Sequence, residues 1–90
     1  MVQFSIAILI TIAGFYFKIS KVEWLIQILA IGLVLSVEAL NTAIEKIADF
    51  IHPDYNKSIG FIKDIAAGAV FFAALAALII GAIIYIPYFV

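Results

Sequence analysis

The chain contains no cysteine and no arginine, and its five lysines and six acidic residues make charged side chains only 12% of 90 residues. Without cysteine there is no disulfide framework and no thiolate metal site, and cysteine usage carries no record of redox compartment. Without arginine, and with a net charge of −1, nothing resembles the basic patch of a nucleic-acid-binding protein. Also missing are a G-x-x-x-x-G-K-[ST] loop, a dinucleotide-binding glycine fingerprint and an H-E-x-x-H pair. The usual phosphate cradle and zinc hydrolase designs are therefore absent.

Hydrophobic residues supply 68% of the chain, and the mean hydropathy is +1.30. That leaves too little polar material to cover a water-soluble surface, so the composition predicts an integral membrane protein. Three apolar stretches are separated by two short polar breaks, with no repeat or long linker, which predicts one all-α domain over residues 1–90. The spans expected are about 4–19, 23–50 and 62–86. The first, at 1.5 Å per residue, is roughly 24 Å long against a hydrocarbon core of about 30 Å, with Lys18 able to snorkel at its end. It lacks a basic leader region and a small-x-small cleavage site, so an uncleaved span is the preferred reading. The second exceeds the core thickness, and Pro53 stops it. His52 to Gly60 reads as a polar surface turn, and the third stretch reads as ending at Pro87. Within that stretch Ala69, Ala73, Ala77 and Gly81, extended by Ala66, form a small-residue stripe that lets another helix approach closely.

Glu38, Asn41, Glu45 and Asp49 stand out on the second stretch. At about 100° per residue they project within roughly 40° to 80° of one another, one polar face on a segment otherwise apolar all round. If Trp24 marks one interface as an aromatic anchor, Glu38 falls about a turn inside the opposite boundary. Glu45 and Asp49 then reach the headgroup zone. A carboxylate at the bilayer centre costs about 2.5–3.5 kcal/mol or more, so such a residue is a functional candidate by default. Glu38 and Glu45 are about 10.5 Å apart along the axis, too far to chelate one ion without other groups but suited to two ends of one reaction. The deeper carboxylate would meet a lipid hydroxyl and the shallower one a metal-bound nucleotide, with Lys63 neutralising phosphate charge. The residue pattern alone leaves two other readings open. One is an oligomeric membrane protein without chemistry, in which Glu38 is hydrogen-bonded between subunits; the other is a small ion-path protein. Lys63 and Asp64 read as the start of the third helix, where the Asp suits the helix dipole and the Lys does not. Lysine placement, Lys46, Lys57 and Lys63 against Lys18 and Lys21, favours a cytoplasmic second loop.

The run Val37-Glu38-Ala39-Leu40-Asn41-Thr42-Ala43-Ile44-Glu45-Lys46-Ile47-Ala48-Asp49, followed by Lys63-Asp64 and Ala67-Gly68-Ala69-Val70, resembles the signature of the prokaryotic diacylglycerol kinase and undecaprenol kinase family. The resemblance covers nearly all of the chain. It implies a homotrimeric kinase of the bacterial inner membrane, three spans per subunit, with shared active sites and the nucleotide loop facing the cytoplasm. Such an enzyme moves the γ-phosphate of ATP, with Mg²⁺, onto the hydroxyl of diacylglycerol or undecaprenol. By the same resemblance Glu38 is the general base and Glu45 a ligand of the nucleotide-bound metal. Asn41 and Asp49 support the site, and Asp54, Tyr55, Asn56, Lys63 and Asp64 bind the nucleotide. The family typically carries an N-terminal amphipathic surface helix with an acidic residue that shares the metal, and Met1 falls just after that region. Asn56 stands where the family usually has His, and Ile62 where Ala often precedes the Lys-Asp pair.

Overall fold

The computed structural model describes residues 2–54 and 56–90 and is built from three helices: α1 (Val2–Phe17), α2 (Lys21–Ile51) and α3 (Lys57–Phe89). No strand occurs among the described residues, in agreement with the all-α expectation. The molecule measures 50 × 18 × 18 Å, so its length is that of α3 itself, 33 residues or about 50 Å of helix. α2 and α3 are each long and apolar enough to cross a membrane. α1, with 16 residues, is shorter.

Local sequence sets each boundary. α1 closes in a Schellman turn, with the Ile19 N–H donating to the Gly14 carbonyl at 3.2 Å and Lys18 at φ 52°, a left-handed position that usually takes Gly. Two residues later Ser20 caps α2. Its Oγ accepts from the Glu23 N–H at 3.1 Å, and Glu23 Oε1 accepts from the Ser20 N–H at 2.9 Å. This reciprocal pair is a capping box. The tight reversal lays the Trp24 ring over Gly14, where a Cβ would stand 2.7 Å from Trp24 Cη2; only a residue without a side chain leaves that room. Trp24 also meets Phe15, with ring centroids 4.9 Å apart.

α2 ends as expected just before Pro53, with the His52 N–H bonded to the Ala48 carbonyl at 2.9 Å. The loop that follows is shorter than the sequence suggests. Asn56 Oδ1 accepts from the N–H groups of Ser58 and Ile59 at 2.9 and 3.4 Å, so α3 begins at Lys57. An N-cap asparagine thus recruits Lys57 to Phe61, residues that read as turn because of their polarity. Lys63 and Asp64 therefore lie beyond the first turn, and the dipole argument for Lys63 falls away. At its other end α3 runs through Pro87 to Phe89. The proline removes one N–H from the last turn, but Val90 still donates to the Ile86 carbonyl at 3.2 Å, and two tyrosines tie the turn to its neighbours.

α2 packs chiefly on α3, with α1 touching α2 more lightly. The buried apolar residues are mostly alanines, Ala30 and Ala48 on α2 and Ala66 and Ala73 on α3; small side chains let the helix backbones approach. The expected Ala69, Ala73, Ala77, Gly81 stripe does not form one seam: Ala73 is buried, Ala77 and Gly81 are half-buried, and Ala69 is exposed. A step of four residues advances about 40° beyond a full turn, so the stripe drifts round the helix. A step of seven falls only about 20° short of two turns, and Ala66 and Ala73 share the seam. Outside it, large side chains such as Leu29 and Phe72 are 73% and 71% exposed. Such a surface is stable only where the solvent is itself apolar.

Candidate functional site

The four residues of the α2 stripe stand at the end of the molecule that also carries the α2–α3 loop. Asn41 Nδ2 donates to Glu45 Oε1 at 3.0 Å, joining adjacent turns. Asn41 Oδ1 is buried and accepts no hydrogen bond. An amide oxygen so placed forfeits about 1–3 kcal/mol unless another donor or a cation meets it. Thr42 Oγ donates to the Glu38 carbonyl at 3.1 Å, and the Glu38 side chain is half-buried while that of Glu45 is exposed. Depth along α2 thus grades the carboxylates from sheltered to open.

α3 brings a cation to the same face. Lys63 Nζ pairs with Asp49 Oδ1 at 2.5 Å. With side chains 37% and 58% exposed, the pair adds at most about 1 kcal/mol of stability, and its consequence is position. It fixes the ammonium one turn beyond Glu45. Asp64, the next residue, lies about 100° round α3 and is exposed. In the loop His52 Nδ1 donates to the Asp54 carbonyl at 2.7 Å; a carbonyl only accepts, so the proton is on Nδ1. Asn56 spends its oxygen on the α3 cap, which leaves its amide nitrogen as the group that can meet a ligand. Tyr55 lies outside the described residues.

The structure therefore joins Asn41 to Glu45 and Asp49 to Lys63, while Glu38 and Glu45 remain two turns apart. Among the described residues no three His, Asp or Glu side chains gather to hold a metal ion. Mg²⁺ takes oxygen ligands and commonly binds through one or two carboxylates together with substrate phosphates. Glu45 and the unpartnered Asn41 oxygen are donors of that kind, so these residues fit a nucleotide-borne Mg²⁺.

A second polar cluster at the opposite end is not anticipated from the stripe. Gln27 is 3% exposed; its Oε1 accepts from Tyr85 Oη, which also lies 3.2 Å from the Ile10 carbonyl. Gln27 Nε2 donates to the same carbonyl at 3.5 Å. Tyr88 Oη donates to Glu23 Oε1 at 2.6 Å, and the Phe17 ring touches Tyr85, Tyr88 and Phe89. The available signal is Gln27 itself, the one polar residue between Glu23 and Ser36.

Long apolar helices with carboxylates near one end define a class, the polytopic membrane protein with an interfacial acidic site. Within that class the chain belongs to the prokaryotic diacylglycerol kinase family, whose model matches residues 1–85. It is similar to an undecaprenol kinase of Bacillus subtilis, 42% identical over 78 residues that cover 87% of this chain and 63% of that protein. It is also similar to a diacylglycerol kinase of Synechocystis sp., 43% identical over 56 residues, 61% of this chain and 32% of that protein. The chain thus spans less than two thirds of either relative's length. No solved structure matches it.

Proposed function

We propose that the chain is the membrane core of a lipid kinase that transfers the γ-phosphate of ATP to a hydroxyl of diacylglycerol or undecaprenol. The observation that carries this reading is the single α2 face on which Glu38, the Asn41–Glu45 pair and the Asp49–Lys63 pair stand in order of depth. Phosphoryl transfer asks for little covalent work from a protein; it asks for an oriented hydroxyl and neutralised phosphate charge. Glu38 takes the proton of the lipid hydroxyl as its oxygen bonds to the γ-phosphorus and the bond to the β-phosphate oxygen breaks, releasing ADP. Asn41 fixes the rotamer of Glu45, and Lys63, steered by Asp49, neutralises phosphate charge. Asp54, Tyr55, Asn56 and Asp64 line the path of the nucleotide. Mg²⁺ held with the nucleotide at Glu45 and Asn41 supplies charge neutralisation at the phosphates. Three such chains assemble into a trimer with shared sites, each chain with three spans in the bacterial inner membrane and its α2–α3 loop in the cytoplasm.

The test is ATP-dependent phosphorylation of each lipid in mixed micelles with Mg²⁺, by the 90-residue chain and by a version with an added acidic N-terminal surface helix. Product from either form, lost in Glu38→Gln, is the expected result. Turnover retained in Glu38→Gln removes Glu38 from the role of base. Silence of both forms with both lipids overturns the reading.

A further inference from the structure

Between α1, α2 and α3 lies a partly open cleft of about 560 Å³, within the range of small-molecule sites. Its walls are aliphatic apart from two side chains, Gln27 and Tyr85, and these stand together at one end. At the other end are Leu35 and Ala74. Leu35 precedes Glu38 by three residues, about 4.5 Å along α2, so the cleft opens one turn below the carboxylate. From Leu35 to Gln27 the cleft runs eight residues, about 12 Å.

Size decides what fits. A helix with its side chains is at least about 10 Å across, and 12 Å of it would displace roughly 900 Å³, more than the cleft holds. A hydrocarbon chain about 4 Å thick, the spacing of carbon atoms in contact, needs about 150 Å³ over the same length. Gln27 and Tyr85 make the far end impassable to such a chain in a particular way. Their hydrogen-bonding groups are engaged with each other and with the Ile10 carbonyl. A chain pushed between them would strip those bonds with nothing to replace them.

We propose that this cleft takes the hydrocarbon chain of the lipid acceptor, with the Gln27–Tyr85 bridge as its end wall. The proposal rests on the reading of Glu38 as the base. A chain entering at Leu35 runs straight for about 12 Å and then turns out into the bilayer. Gln27 and Tyr85 are in this sense specificity-determining residues that never touch the reacting atoms.

Gly81, in the deeper half of the cleft, provides the test, because a Cβ built there meets nothing within 4 Å and a leucine side chain can enter the cleft without displacing backbone. With acceptors of graded chain length, KM is expected to fall with length and level off once the chain spans the cleft. Gly81→Leu is expected to raise the ratio of KM for long over short acceptors about tenfold, and Gln27→Ala to move the levelling point to longer chains. No dependence on chain length, or the same change for every length, overturns the proposal. A diacylglycerol carrying a diazirine in mid-chain gives a readout without ATP: light should label the Ala74–Gly81 segment in the native chain and not in Gly81→Leu. Labelling without turnover would sink the kinase reading and leave the cleft assigned; turnover without labelling would do the reverse. The chain has no cysteine, so Gly81→Cys can be oxidised cleanly. A disulfide between subunits would show that a second copy fills the cleft and would overturn the proposal.

Discussion

The two ends of this helical hairpin solve opposite problems with similar residues. At the end formed by the α1–α2 turn and the last turn of α3, polar side chains are tied to one another: Ser20 with Glu23, Glu23 with Tyr88, and Gln27 with Tyr85 and the Ile10 carbonyl. Phe17 and Trp24 pack rings over the joint. At the other end the acidic residues are spread along α2 in graded exposure, and a buried amide oxygen of Asn41 has no donor. Satisfied polar groups inside an apolar medium hold helices together. A partly satisfied set costs stability and persists where a ligand completes it. The first end is built to be closed and the second to receive something.

The contrast can be broken at either end. The largest effect belongs to the open end, where Glu38→Gln is expected to lower kcat by about 10²–10⁴, with thermal unfolding in detergent unchanged; a lowered melting temperature would make Glu38 a structural residue instead. Next is the seam that joins the ends. Ala73 is buried within the chain, so Ala73→Leu should destabilise the fold by about 1–3 kcal/mol. The loss should appear as earlier unfolding at any protein concentration. A shift that vanished on dilution would mean that the residue faces a second subunit. At the closed end, Tyr85→Phe deprives the buried Gln27 oxygen of its donor and should cost about 0.6–1.7 kcal/mol, seen as faster amide exchange in the last turns of α3. Smallest is Lys18→Gly, which relieves a left-handed residue of roughly 1 kcal/mol of strain. That variant should melt slightly later, and an unchanged or lower melting temperature would mean that the Schellman turn is not limiting.

Much of this was legible in the chain. The solvent and the helix class follow from composition, Pro53 ends α2 where expected, and the Glu38 to Asp49 stripe lies on one face because helical spacing fixes it. Other features escape a linear reading. The α3 start was misplaced because Asn56 acts as an N-cap, and its neighbours' polarity looked like loop. The four-residue alanine stripe was misjudged because the drift of 40° per step matters only once a partner helix fixes a direction. Lys63 looked notable for its clash with the helix dipole, yet its position depends on Asp49, fourteen residues earlier.

Sequence by itself determined what each helix is made of and which residues share its faces, because those follow from hydropathy and a fixed rotation per residue. Only the tertiary structure decided which faces meet. It paired Lys63 with Asp49, buried Ala66 and Ala73 together, and joined Gln27 to Tyr85 across 58 residues. The physical reason is that in an apolar medium burial of apolar surface does not choose partners. The few polar groups and the smallest side chains do.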